Sequence, residues 1–429
     1  MKLEDYQPYL SPALAKATEL IVESGEGCYL IDSHGDRYLD FVQGIAVNAL
    51  GHCHPKIVAA ITAQAKQLIH ASFNLVSYPA TLELARRLAE VTPGRLNSVF
   101  FSNGGAEAVD GALKLARAYT RRPAVIAFQG SFHGRTFGAL SVTGSNAKYR
   151  KYYEPMVGAV YFTAYPSKDL CPAEFSETER TTFCLNELDH LFQYLIGPDQ
   201  VAAIIMEPVQ GEGGYVVPPK DFVQGIRKRC EQYGILLIMD EIQSGYGRTG
   251  KMFASEHFDV VPDILTVGKA IAGGLPMSAV VSTPEIMADW HPGMHGTTFG
   301  GQPVCAAAAL AVLDEFKQAH LLDHVTQTGA YLKDRLKGLQ KKYSCISDVR
   351  GLGLMLAIEF SHPDGTPGGD ILEKVRTGCL KNKLLTLSCG VHNNGMRFAT
   401  PLNVTDEEIN QGITIIDRVL NQVWAPRED

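Results

Sequence analysis

The chain has 429 residues, a hydrophobic fraction of 45%, 20% charged residues and a formal net charge of −7; that length exceeds what one compact core usually supports, so a large and a smaller domain are expected. Lys and Arg are scattered, which argues against a nucleic-acid or anionic-membrane partner, and the longest small-apolar stretch, Val304 to Leu313, is too short to cross a bilayer. Nine dispersed cysteines without a CxxC pair argue against a disulfide framework and fit a reducing, cytoplasmic compartment.

The start, Met1 to Tyr6, is polar and acidic and lacks the order of a secretory signal. Gly27 to Phe41 alternates like two strands around the turn signal Asp32-Ser33-His34-Gly35-Asp36 and is expected to pack with the C-terminal residues. His52-Cys53-His54 has no second ligand pair at a zinc spacing, so no metal is expected. Five runs then read as buried strands: Ser98 to Phe101, Ala124 to Phe128, Val201 to Met206, Ile235 to Met239 and Ile264 to Val267. Helical patterns such as Ala106 to Tyr119 and Pro219 to Tyr233 separate them, and Cys171 to Thr182 reads as an irregular surface insertion. Strands apolar on both faces and separated by helices predict a mainly parallel sheet covered on two sides. From about residue 326 a helix (Val325 to Lys341), two strands around Gly351-Leu352-Gly353, the strand-like Met396-Arg397-Phe398 and a final helix from Thr405 form a compact α+β unit. The expected division is an N-terminal segment, 1–60, belonging to a small domain, a large domain, 61–325, and the remaining small domain, 326–429.

In an open α/β sheet, ligands bind beyond the carboxyl ends of the strands. Those ends are Ser102 to Ala106, Gln129 to Arg135, Glu207 to Gly214, Asp240 to Gln243 and Gly268-Lys269. Gly104 and Gly105 free backbone N–H groups at a helix N-terminus, which suits one phosphate, although a tight turn would use the same glycines. Asp240 follows an apolar run, where a buried carboxylate needs a cation such as a protonated pyridine nitrogen, or else is an N-cap or salt-bridged residue. Lys269 on an apolar rim is made nucleophilic toward an aldehyde by desolvation; a snorkelling surface lysine is the plain alternative.

Asn103 to Ala108, Phe132-His133-Gly134-Arg135-Thr136, Glu207 to Glu212, Asp240 to Gln243 and Gly268-Lys269, in this order, resemble the class III, fold-type I aminotransferases, and within them the 4-aminobutyrate aminotransferase group. The resemblance runs from about Gly27 to the final helix. It implies pyridoxal phosphate held on Lys269 as a Schiff base, with Lys269 and Asp240 catalytic. Asp240 would pair with the ring nitrogen, Gln243 with the ring hydroxyl, Phe132 and Ile242 would flank the ring faces, and Gly105 and Ala106 would bind the phosphate. His133 and Glu207 fall in the same cofactor-binding set. Thr298, in Gly296 to Gly301, would reach the phosphate in the partner subunit's site, which implies a homodimer, with higher assembly left open.

The resemblance also implies two alternating substrates, an ω-amino donor and 2-oxoglutarate. Arg135 would take the distal carboxylate, Arg397 the α-carboxylate, Glu212 would gate Arg397, and Ile45 would line the same pocket. Phe73 and Tyr78 are expected to shape donor specificity. Two alternatives share the framework: racemases or epimerases, some with an insertion like the one around Cys171 to Thr182, and acetylornithine- or ornithine-type aminotransferases, which keep the Glu–Arg gate. Intact Lys269, Asp240 and Gln243 argue against a non-catalytic binding protein.

Overall fold

The computed structural model describes residues 3–424; Met1, Lys2 and residues 425–429, which belong to the expected terminal units, lie outside the described residues. Fifteen strands form among the described residues. The chain opens with β1 (Val22–Glu26), β2 (Tyr29–Asp32) and β3 (Arg37–Asp40). Next come β4 (Ser98–Ser102), β5 (Ala124–Phe128), β6 (Val160–Thr163), β7 (Val201–Met206), β8 (Leu236–Asp240), β9 (Ile264–Val267) and β10 (Ser278–Ser282). The last are β11 (Ile346–Leu352), β12 (Met355–Phe360), β13 (Leu384–Leu385), β14 (Leu387–Cys389) and β15 (Gly395–Phe398).

The central sheet runs β4-β10-β9-β8-β7-β5-β6. Only β10 is antiparallel to its neighbours, β4 and β9, so the other six strands all point the same way. The five runs expected as strands are all present; β6 and β10 were not in that reading. Residues of β5 divide by parity. Ala124, Ile126 and Phe128 enter one core cluster, Val125 and Ala127 the other, as a strand buried on both faces requires. The helix Gly105–Thr120 covers one face through Ala108, Val109, Ala112 and Leu115. The helices Glu177–Tyr194 and Lys220–Tyr233 cover the other through Leu188, Phe222 and Ile226. Among the described residues no helix is long and apolar enough to cross a membrane.

The supposed insertion at Cys171 to Thr182 needs correction. Ser176 and Glu179 form a capping box, so residues 177–182 are the opening turns of the helix Glu177–Tyr194. Cys171 itself is buried, with its Sγ 3.6 Å from that of Cys184. Polarity of the exposed face of an amphipathic helix had masked its period.

Segments that precede and follow the central sheet in sequence pair with one another. β13 pairs parallel with β3, Leu384 opposite Leu39, and Ala399 N donates to Phe41 O at 2.9 Å. β11, β12, β15 and β14 form a separate antiparallel sheet that carries Arg397. The helix Leu321–Lys342 lies against the β11–β12 turn so closely that a Cβ on Gly329 would stand 2.4 Å from Gly353 O. Ala normally improves on Gly inside a helix by about 1 kcal/mol. At 329 the methyl meets backbone that cannot rotate aside, so Gly329→Ala should instead destabilise by roughly 1–3 kcal/mol. Gly338→Ala, in the same helix with open space around it, should stabilise. Thermal unfolding midpoints of the two variants should move in opposite directions; a rise in both would refute the packing argument.

Candidate active site

Because β4, β5, β7, β8 and β9 run parallel, their polar carboxyl ends meet on one rim. At its centre Asp240 closes β8 and is only 4% exposed. Its Oδ2 lies 2.7 Å from His133 Nδ1, and its Oδ1 accepts from Ile242 N at 3.1 Å and Thr266 Oγ1 at 3.3 Å. Glu207, buried just beyond β7, accepts from Phe132 N and from Gly211 N, both at 2.8 Å. One carboxylate thus ties together the loops after β5 and β7. Burial, with His133 working against it and Asp240 reinforcing it, pushes the Glu207 carboxyl up to about 7.

Lys269 is the first residue of the turn after β9 and Gly268, half-buried and with a left-handed φ of 44°. Burial holds its ammonium below the usual lysine range, against the opposing charges of Glu212, Asp240 and Glu207 and with help from Arg397. Gly105 and Ala106 begin the helix Gly105–Thr120, whose N-cap Gly104 supplies no side-chain cap, so their N–H groups head the positive end of the helix. Ile242 lies between two glycines: a Cβ on Gly105 would come within 2.9 Å of its Cδ1, and one on Gly268 within 3.3 Å of its Cγ2. Gln243 Oε1 accepts from Tyr215 Oη at 3.0 Å.

On the substrate side, Arg397 is 5% exposed and its Nη1 donates to Glu212 Oε1 at 2.5 Å, while its Nε is buried with no protein partner among the described residues. Burial opposes the charge of Arg397, but Glu212 outweighs it and the guanidinium stays protonated. A cavity of about 1000 Å³ brings Arg397 and Glu212 together with Arg135. Arg135 is exposed, its guanidinium 3.9 Å from the centre of the Tyr149 ring and 5.7 Å from that of Phe132. Ala13 to Lys16 and Tyr149 complete part of the cavity wall. The sequence reading had given neither a role, since an isolated segment and a tyrosine among basic residues carry no motif. Tyr215, directly after Gly213-Gly214, was likewise passed over.

Ile45 and Thr298 stand apart from this cavity's wall, and both are exposed. Thr298 follows Thr297, whose Oγ1 is 3.2 Å from Asn103 Nδ2. Ile45 sits in a left-handed turn: Gln43, Gly44, Ile45 and Ala46 have φ of 50°, 64°, 67° and 61°. Asp40 staples that turn, accepting from Val42 N at 2.8 Å and Gln43 N at 3.0 Å, with His52 Nε2 on its other oxygen at 2.8 Å. His54 faces Glu315 instead, with 3.6 Å between Nε2 and Oε2, so the two histidines diverge.

The donor set suits a phosphorylated pyridine aldehyde. A buried carboxylate matches a protonated ring nitrogen, an amine of lowered basicity matches the aldehyde, and uncapped helix N–H groups match a phosphate.

The sequence profile described as aminotransferase class-III matches residues 11–420. The chain is 38% identical over 412 residues to a probable 4-aminobutyrate aminotransferase of Bacillus subtilis, covering 95% of this chain and 94% of the relative. It is 40% identical over 410 residues to an acetylornithine aminotransferase of Caldanaerobacter subterraneus, covering 94% and 95%. A solved amine transaminase from an uncultivated Pseudomonas species, in its PLP-bound form, superposes with a TM-score of 0.88 at 31% identity, covering 96% of each chain.

Glu207 has a measurable consequence. Its folded carboxyl protonates at about 7 against an ordinary 4.5. The folded state therefore holds the proton more tightly than the unfolded one, and this contribution to stability is complete below about pH 4.5 and lost as pH rises through 7. Glu207→Gln removes it. In cofactor-free protein, the parent should lose on the order of 3 kcal/mol relative to the variant between about pH 5 and pH 7.5. Parallel pH profiles of the two unfolding midpoints would contradict this.

Proposed function

The chain belongs to the class III aminotransferases, and from that premise we propose that it moves the amino group of an ω-amino acid such as 4-aminobutyrate to 2-oxoglutarate, releasing glutamate. The observation that carries the reading is the pairing of half-buried Glu212 with buried Arg397. A donor whose reacting carbon bears no carboxylate fits while Glu212 neutralises Arg397. When Glu212 swings away, Arg397 offers Nη and Nε as a bidentate clamp for the α-carboxylate of 2-oxoglutarate. Its Nε, already buried and unmatched, stands ready for that second bond. Arg135, steadied on Tyr149, takes the distal carboxylate in both half-reactions.

The family's cofactor, pyridoxal phosphate, supplies when bound an electrophilic carbon and an electron sink for the carbon that loses its proton. Lys269 Nζ would hold the aldehyde carbon of that group and, when free, would move the proton at the substrate carbon. Its lowered basicity keeps a share of the amine neutral for that work. Asp240 keeps a proton on the ring nitrogen, and His133 orients Asp240 through the 2.7 Å bond. Gln243 would donate to the ring hydroxyl, Phe132 and Ile242 would flank the ring, and Gly105 and Ala106 would hold the phosphate. Glu207 fixes the Phe132 and Gly211 backbones around it. Thr298 completes the partner's site in a homodimer. Beside it Phe299, and elsewhere Leu75, expose 58% and 81% of their surfaces on this single chain, apolar area suited to such an interface.

Likeness to the acetylornithine aminotransferase supports a second donor, an N-acylated diamino acid reacting at its terminal amine. The gate suits it equally, because that carbon also carries no carboxylate.

Borohydride reduction of the holoprotein followed by peptide mapping should place the cofactor on Lys269, and a label on another lysine would end the assignment. The gate is tested by rapid mixing, which follows loss of the visible cofactor band with donor and its return with 2-oxoglutarate. Glu212→Ala should weaken the donor half by about 100-fold, the order expected from ~3 kcal/mol for a charged hydrogen bond, and the acceptor half much less. Arg397→Ala should reverse the pattern. Equal effects on both halves would overturn the gate, and failure of 2-oxoglutarate to restore the band in the parent would favour an isomerase.

A further inference from the structure

We infer that Tyr215 is a positioning residue that orients the Gln243 amide, so that the loop carrying Glu212 is joined to the hydroxyl edge of the cofactor ring. The inference rests on the reading of Gln243 as the donor to that hydroxyl.

A glutamine amide presents an acceptor at one corner and a donor at the other, and which corner faces the ring depends on what holds the opposite one. Here Tyr215 Oη lies 3.0 Å from Gln243 Oε1, both residues being buried. The phenol has no other hydrogen-bond partner among the described residues, so its proton is satisfied only by donating to Oε1. Burial pushes the phenol up to about 12, which keeps that proton in place at working pH. With Oε1 engaged, Nε2 is the corner left for the ring oxygen. It has no protein partner among the described residues, and a Cβ on Gly211 would stand 2.4 Å from it, so glycine there leaves the amide its place.

The backbone points the same way. Tyr215 has a φ of 55°, a left-handed conformation that a tyrosine adopts only when its surroundings demand it. The loop is closed by Gln210 N to Val216 O at 3.0 Å and Val216 N to Gln210 O at 3.2 Å. Glu212 and Tyr215 therefore ride on one closed loop, the first reaching Arg397 and the second Gln243.

The test uses the holoenzyme and the pH midpoint of its visible cofactor band, which responds to hydrogen bonding at the ring oxygen and is indifferent to merely structural roles. Losing a donor to that oxygen strengthens its hold on the neighbouring proton, so the midpoint should rise. Tyr215→Phe and Gln243→Met should each raise it by about 0.5–1 pH unit, and the double variant should rise no further than Gln243→Met alone. If Gln243→Met raises the midpoint and Tyr215→Phe does not, or if the two shifts add, the inference is wrong while the role of Gln243 stands. If Gln243→Met leaves the midpoint unmoved, the role of Gln243 fails and takes the inference with it.

Discussion

A carboxylate at the end of a fully buried strand is the constraint around which this molecule is arranged. Moving such a group out of water costs several kcal/mol, of the order of about 3–5 if a partner is missing. Asp240 meets that demand with an imidazole, a backbone N–H and a hydroxyl drawn from three different segments. The imidazole comes from the loop after β5, and that loop is held by a second buried carboxylate, Glu207. Glu207 in turn holds Gly211, at the root of the loop bearing Glu212. The loops after β5, β7 and β8 are thus joined by one polar chain laid along the rim of the sheet. Such a chain does not tolerate a missing member in its middle.

Much of this was legible in the sequence because strands covered on both faces leave a plain trace. Each apolar run ends where polar or glycine residues begin, and those endings form the candidate site. The candidates Asp240, Lys269, Gly105 and Glu207 were picked out that way, and the structure gathers the ends of their strands on one rim. What stayed hidden lacks a period. β10, Ser278 to Ser282, is a short run of small residues, and only its antiparallel insertion between β4 and β9 shows why it is needed there. Tyr215 and Tyr149 act through side-chain contacts to segments far along the chain, at Gln243 and Arg135. The helix Glu177–Tyr194 was half missed because its first turn is polar; the Ser176–Glu179 capping box was the signal available.

The two arginines of the cavity solve different problems. Arg397 sits in a β-sheet, buried, with a carboxylate already on it. Arg135 is exposed and rests on an aromatic ring, which weakens neither its charge nor its reach. Arg397 stands on β15 and Glu212 on the loop after β7, so their ion pair links the β11–β12–β15–β14 sheet to the central sheet.

The left-handed turn at Gln43 to Ala46 sets the needs of chain geometry against those of the side chain. A β-branched residue at a φ of 67° is held in a basin that glycine or asparagine would occupy comfortably. The strain is borne by Asp40 and His52, which leave the turn no relaxed alternative. Laboratory evolution toward heat resistance alone would therefore be drawn to replace Ile45, trading a strained side chain for a residue at ease in that basin.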